Sequence, residues 1–253
     1  MTAETSTYKN VAPLRNVSAL LALVNRVQER SFSLPGMGTF HGPSGYGKST
    51  ALVYTAIKTG GVSVQVKSAW TRKAFCEAIL TEMAVTPAKN IASMVEQISE
   101  HLAVTGLPLL IDEADHLMKN SMIELVRDIY EGSGAAVILI GEELLPQKLR
   151  QWERVHNRML DWVAAEPASL SDVGHLAKIY ARDISVEDDL QKLILEQSRH
   201  NTRRVCVNLE RVQEFALRKG LETVGRAEWG TNALFTGTAP GPRFRKAGAG
   251  SVA

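Results

Sequence analysis

Gly42-Pro43-Ser44-Gly45-Tyr46-Gly47-Lys48-Ser49-Thr50 fits the spacing G-x-x-x-x-G-K-[ST]. Glycines at those places let a backbone wrap closely enough for successive N–H groups to meet phosphate oxygens. A short apolar run, Met37 to His41, precedes the stretch, and a helix-forming run, Ser49 to Lys58, follows it. In that context the spacing binds phosphate, because the helix adds its positive N-terminal end to the loop amides. Gly42 to Thr50 then form the cradle of a nucleoside triphosphate. Lys48 reaches the β- and γ-phosphates, and the Ser49 hydroxyl ligates Mg²⁺.

Working outward, Leu109-Leu110-Ile111-Asp112-Glu113 is an apolar strand that delivers two acids at its C-terminal end. That end is where ligands gather in open α/β sheets. The pair suits Asp112 as the holder of Mg²⁺ and Glu113 as the group that polarises an attacking water. The letters Asp112-Glu113-Ala114-Asp115 also spell a helicase motif, but such helicases need two α/β lobes and the chain has room for one. Asp115 reads as a helix cap.

Strand signals fall at Met37 to His41, Val62 to Val66, Leu107 to Ile111, Ala135 to Ile140 and about 159–164. Helix signals lie between them: about 70–84, 88–104, Met118 to Tyr130 and 143–153, with Gly132-Ser133-Gly134 as a turn. Upstream, Asn16 or Ser18 is placed to cap a helix carrying Leu20, Leu21, Leu23, Val24 and Val27. Alternation of this kind gives a parallel sheet with helices on both faces. After Pro167 the pattern turns to helices alone, at 169–183, 186–199, 202–219 and 226–234. The expected organisation is a flexible N-terminus at 1–13, an α/β nucleotide-binding core at 14–167, an all-helical lid at 168–235 and a disordered Gly/Ala/Pro-rich basic tail at 236–253.

The composition, 45% hydrophobic and 22% charged over 253 residues, supports one globular domain or one domain with a small appendage. A net charge of +2 is too mild to imply nucleic-acid binding by itself, so any basic surface must be local. Cys76 and Cys206 are too few and too far apart for a disulfide framework or a metal site, which points to a reduced cytoplasmic setting. No apolar run approaches the roughly 18 residues of a membrane helix, so no membrane partner is expected. A GTPase would show a base-reading Asn-Lys-x-Asp run, which is absent. A small-molecule kinase would carry its lid inside the core, whereas here the helices follow it.

The loop at Gly42 to Thr50, the Asp112-Glu113 pair, one further strand and a helical C-terminal region together resemble the AAA+ ATPases. Over roughly residues 14–230 the compact plan is similar to their transposition branch, the phage Mu B type. The resemblance implies ATP and Mg²⁺ as cofactors, slow hydrolysis, and self-assembly into a homo-oligomeric filament or ring. It implies sequence-nonspecific binding of double-stranded DNA, with a transposase as partner and target-DNA selection as the task. A loader or remodeller of a replicative helicase or another protein partner, and a nucleotide-regulated scaffold with little hydrolysis, are the alternative readings.

Further positions follow from the same resemblance. The residue after the fourth strand usually senses the γ-phosphate and is neutral. Here it is Glu142, which either orients the water or caps the next helix. An arginine donated into the neighbouring subunit's site falls at Arg158, with Arg154 in reserve. Asn201-Thr202-Arg203-Arg204 matches the second sensor, with Arg203 as the nucleotide contact, although the family's glycine is replaced by His200-Asn201. Lys67, Arg72 and Lys73, with Trp70 interleaved, are the DNA-contact candidates, followed by Lys119 and a tail cluster of Arg243, Arg245 and Lys246. The Mu B type that the chain resembles carries an extra N-terminal helix-turn-helix domain. Few residues precede Met37, so DNA contacts are expected from the core or the tail.

Overall fold

The computed structural model describes residues 14–239, residue 32 excepted; the N-terminal stretch 1–13 and the Arg243, Arg245 and Lys246 cluster lie outside the described residues. Five parallel strands form the central sheet: β1 (Met37–His41), β2 (Val62–Gln65), β3 (Leu109–Asp112), β4 (Val137–Gly141) and β5 (Met159–Ala164), in the order β2-β3-β4-β1-β5. Alternation in the inner strands sorts the core into two layers. Phe40, Leu110, Ile138 and Ile140 face one side, where α1 (Arg15–Gln28) and α2 (Lys48–Thr59) cover them. Met37, Leu109, Ile111, Val137 and Leu139 face the other, under α3 (Arg72–Glu82), α4 (Ile91–Thr105) and α5 (Met122–Ser133). Burial on both faces explains why these strands read as nearly unbroken apolar runs.

Several expected elements differ locally. The helix expected from Met118 is a 3₁₀ stretch, Ala114–Ser121, followed by α5 from Met122. Glu113 and Ser121 both take positive φ, 53° and 54°, and these left-handed residues interrupt any continuous α-helix. Gly132 and Ser133 belong to α5, and Gly134 at φ 65° closes it. The segment 143–153 divides into α6 (Leu145–Leu149) and α7 (Glu153–His156), parted at Trp152. Neither Asn16 nor Ser18 caps α1. The N-cap is Leu14, without a side-chain bond, and Asn16 is buried inside the first turn.

The C-terminal part comprises α8 (Leu170–Tyr180), α9 (Asp188–Gln197), α10 (Thr202–Lys219) and α11 (Arg226–Trp229). It is not wholly helical: β6 (Ser185–Val186) and β7 (Thr223–Val224) pair in parallel, two residues each, too short to leave a periodic signal. Ser169 and Asp172 form a capping box at the start of α8. Burial pushes the Asp172 carboxyl up, but hydrogen bonds from Ser169 and Arg15 outweigh it and hold the group below its ordinary range. Val173, Leu176, Val205, Leu209 and Trp229 join the same apolar cluster as α1 and α2, so the C-terminal helices pack on the core without a separate interior. Among the described residues no helix is long and apolar enough to cross a membrane.

Candidate nucleotide site

Strands β1 and β3 are separated by β4, and the chain leaves their C-terminal ends on the same side of the sheet. The loop after β1 and the acids at the end of β3 therefore meet over β4, the place where parallel α/β sheets bind ligands. Gly45 and Gly47 have φ of 85° and 81°, a region closed to most L-residues. A Cβ on Gly45 would also stand 2.5 Å from the Asn201 amide. This is the physical reason for glycine there.

Every carbonyl from Gly42 to Tyr46 has a donor. Lys48 Nζ donates to Gly42 O at 2.6 Å and Pro43 O at 3.0 Å. Asn201 Nδ2 donates to Ser44 O (2.8 Å), Arg203 N to Gly45 O (3.0 Å) and Asn16 Nδ2 to Tyr46 O (2.9 Å). Among the described residues, the amides of residues 44–49 donate to no protein acceptor. They are the free N–H groups that an anion at a helix N-terminus uses. The C-terminal helices and α1 thus hold the loop from outside by its oxygens and leave its nitrogens free.

Asp112 is 3% exposed and accepts from Ser49 Oγ at 2.8 Å. Its other oxygen accepts from Glu113 N at 2.9 Å. Serine hydroxyl and carboxylate are hard oxygen donors, which suits Mg²⁺. Among the described residues no cluster of three or more His, Cys, Asp or Glu could hold a metal, so an ion here must keep waters or phosphate as its other ligands, as Mg²⁺ characteristically does. Glu113, half-buried in the left-handed conformation, lines the same cleft as Lys48, Ser49 and Asp112. Burial pulls the Lys48 ammonium below the ordinary lysine range, against the upward pull of Asp112, Glu113, Asp115 and Glu142. His41 is likewise lowered, by burial and then by the charge of Lys48.

Asp115 does not cap a helix. One of its oxygens accepts from Glu142 N at 2.6 Å, and the other meets Lys148 Nζ at 2.7 Å. Glu142 caps nothing either, since α6 has no side-chain cap, and its carboxylate pairs with Lys148 at 3.2 Å. Lys148 left no signal in the sequence, because a lysine in a short amphipathic segment reads as a solvated charge. On the lid side, Arg203 lines the cleft, while the Arg204 guanidinium packs against Gly237. Arg199 and His200 take φ of 51° and 57°, a left-handed conformation that glycine adopts most easily. His200 Nδ1 lies 2.9 Å from Ala168 O, which helps to hold it there.

Asn16 is the other residue that sequence reading missed. Its amide donates to Tyr46 O and Glu166 O (2.8 Å) and accepts from Glu166 N (2.8 Å), tying the phosphate loop to the segment that enters the lid. The signal was a polar residue on the buried stripe of α1.

Arg158 stands apart from the cleft of its own chain. Its carbonyl accepts from Met37 N at the N-terminal end of β1, opposite the phosphate loop, and its side chain pairs with Glu131 at 2.6 Å. Arg154 is exposed on α7. Lys67 follows β2 and lies 5.8 Å from the Trp70 ring. Val66 N donates to Asp112 O at 3.0 Å, which places this turn beside the acid pair. Arg72 is exposed, Lys73 pairs with Glu77 at 3.6 Å, and Lys119 is exposed on the 3₁₀ stretch after β3. These basic residues therefore follow two adjacent strand ends on the cleft side of the sheet.

Residues 30–149 match the model of an AAA domain. No curated protein matches the chain. Among solved structures it is similar to the Aeropyrum pernix ORC2 protein in ADPNP–ADP complexes, with 15% identity over 86% of this chain and 68% of that one at a TM-score of 0.65. The Aeropyrum pernix ORC1 protein in complex with DNA matches at 17% identity over 87% and 64% of the two chains, TM-score 0.63. The Thermotoga maritima RuvB Holliday junction branch migration motor matches at 18% identity over 86% and 67%, TM-score 0.59. The chain thus spans about two thirds of the length of these proteins, and at such identities the likeness is one of fold. Residues 30–149 thus match an AAA domain, and the sheet order and the phosphate loop give the chain the α/β fold of the AAA+ P-loop NTPases, followed by C-terminal helices.

Proposed function

We propose that the protein is an ATP-dependent, DNA-binding AAA+ ATPase. The observation that carries the ATPase part is the convergence of free loop amides, Lys48, the Ser49–Asp112 contact and Glu113 in one cleft. Phosphates lie on the amides and Lys48, and Arg203 reaches them from the lid. Ser49 and Asp112 would hold a magnesium ion, which would offset phosphate charge. Glu113 takes the proton of a water that attacks the γ-phosphorus, and the bond to ADP breaks. Arg158, directed away from its own cleft, serves the site of a neighbouring copy, which makes the active form a homo-oligomer.

The DNA-binding part is supported by the exposed basic residues beside the cleft and by fold neighbours described in complex with DNA. In its finer form, suggested by the sequence resemblance, ATP-bound subunits line up along target DNA and engage a transposase. The likeness to the origin-recognition proteins favours a loader acting on another protein as the second reading. Fluorescence anisotropy with two unrelated duplexes checks the DNA part. Affinities for both should be alike, about tenfold tighter with ATP, and should fall steeply with salt. Charge reversal at Lys67 and Arg72 should weaken both duplexes equally and make the salt dependence shallower, by about one in slope for each phosphate-binding cation removed. Equal affinity with and without ATP argues against the proposal.

A further inference from the structure

The loop after β4 is acidic where a neutral residue is expected, and the structure supplies a counterion. Glu142 lines the phosphate cleft, and Lys148 Nζ lies 3.2 Å from its carboxylate and 2.7 Å from Asp115. The Asp115 side chain is only 7% exposed, and its second oxygen accepts from Glu142 N, so the acid grips both the lysine and the loop backbone. Gly141 makes the approach possible: a Cβ there would collide with the Asp115 carboxylate and stand 2.9 Å from Leu145. Hydrogen bonds from Asp115 first, and from Glu142, hold the Lys148 ammonium above the ordinary lysine range.

Asp112, Glu113, Asp115 and Glu142 all bear on Lys48. An uncompensated carboxylate at Glu142 would repel the outermost phosphate of a triphosphate far more than it would a diphosphate, which ends one phosphate short of it. We propose that Lys148 is a positioning residue for the γ-phosphate: anchored by Asp115, it draws Glu142 back and offsets part of its charge, so that the cleft accepts a triphosphate. This rests on the triphosphate reading above. The Glu142–Lys148 pair is open to solvent, 66% and 37% exposed, and pairs of that kind add little to stability. The effect is therefore read in ligand choice.

Calorimetric titration with Mg²⁺ plus either ADP or a non-hydrolysable ATP analogue tests it. Lys148→Met should weaken the analogue about tenfold and ADP by less than about twofold. Adding Glu142→Gln to that variant should recover most of the loss, and Lys148→Arg should bind as the unmodified protein does. Should Lys148→Met fail to fold, Glu142→Gln alone must raise affinity for the analogue relative to ADP. Equal weakening of both nucleotides, failure of the rescue, or a lowered ratio in Glu142→Gln overturns the proposal. An unmodified protein that binds neither nucleotide overturns the triphosphate reading itself, a result distinct from an unchanged ratio.

Discussion

Glu113→Gln is expected to keep ATP bound and to stop its turnover. The change removes a base and preserves the shape of a side chain that lines the cleft in a left-handed backbone conformation. Asp112 keeps its bonds to Ser49 Oγ and Glu113 N, the second of which comes from backbone, so the metal-holding pair is untouched. Loss of a positioned base costs about 10²–10⁴ in rate, and phosphate release should fall by that order. Filter binding of labelled ATP should stay within about twofold of the unmodified protein, because affinity comes from charge-assisted contacts to the loop amides and Lys48. Unchanged phosphate release would instead mark a nucleotide-regulated scaffold.

Asn16→Ala carries the second large effect, on stability and nucleotide affinity together. The buried amide makes three hydrogen bonds, to Tyr46 O, Glu166 O and Glu166 N. Truncation leaves two carbonyls and one N–H without partners in an interior position 7% exposed, a loss of about 3 kcal/mol. For a chain of this size that lowers the melting temperature by roughly 6–12 °C. Nucleotide should weaken too, because Tyr46 is then no longer fixed from behind. A melting temperature within about 2 °C of the unmodified protein would show that Asn16 is not a strut.

Elements defined by burial on both faces were legible in the sequence. Met37 to His41 and the helix after it stand where the periodicity puts them, and Asp112-Glu113 meets the phosphate loop as the strand logic requires. What escaped depends on contacts between distant residues. Asp115 and Lys148 are separated by α5 and β4, and nothing in either segment announces the pair. Asn16 looked like a cap because asparagine at a helix start usually is one; tertiary bonding to residues 46 and 166 took precedence over that local preference. The 3₁₀ stretch was hidden for a related reason: left-handed Glu113 and Ser121 are ordinary residues, and only glycine advertises that conformation.

The grip of the loop on a triphosphate is tested most directly by Lys48→Ala, assayed with labelled ATP and Mg²⁺ alongside a melting curve. The variant should remain folded and lose about a hundredfold or more in affinity, since the ammonium is the charged donor inside the cradle. A folded Lys48→Ala protein that binds ATP as tightly as the unmodified chain contradicts the assignment of this cleft.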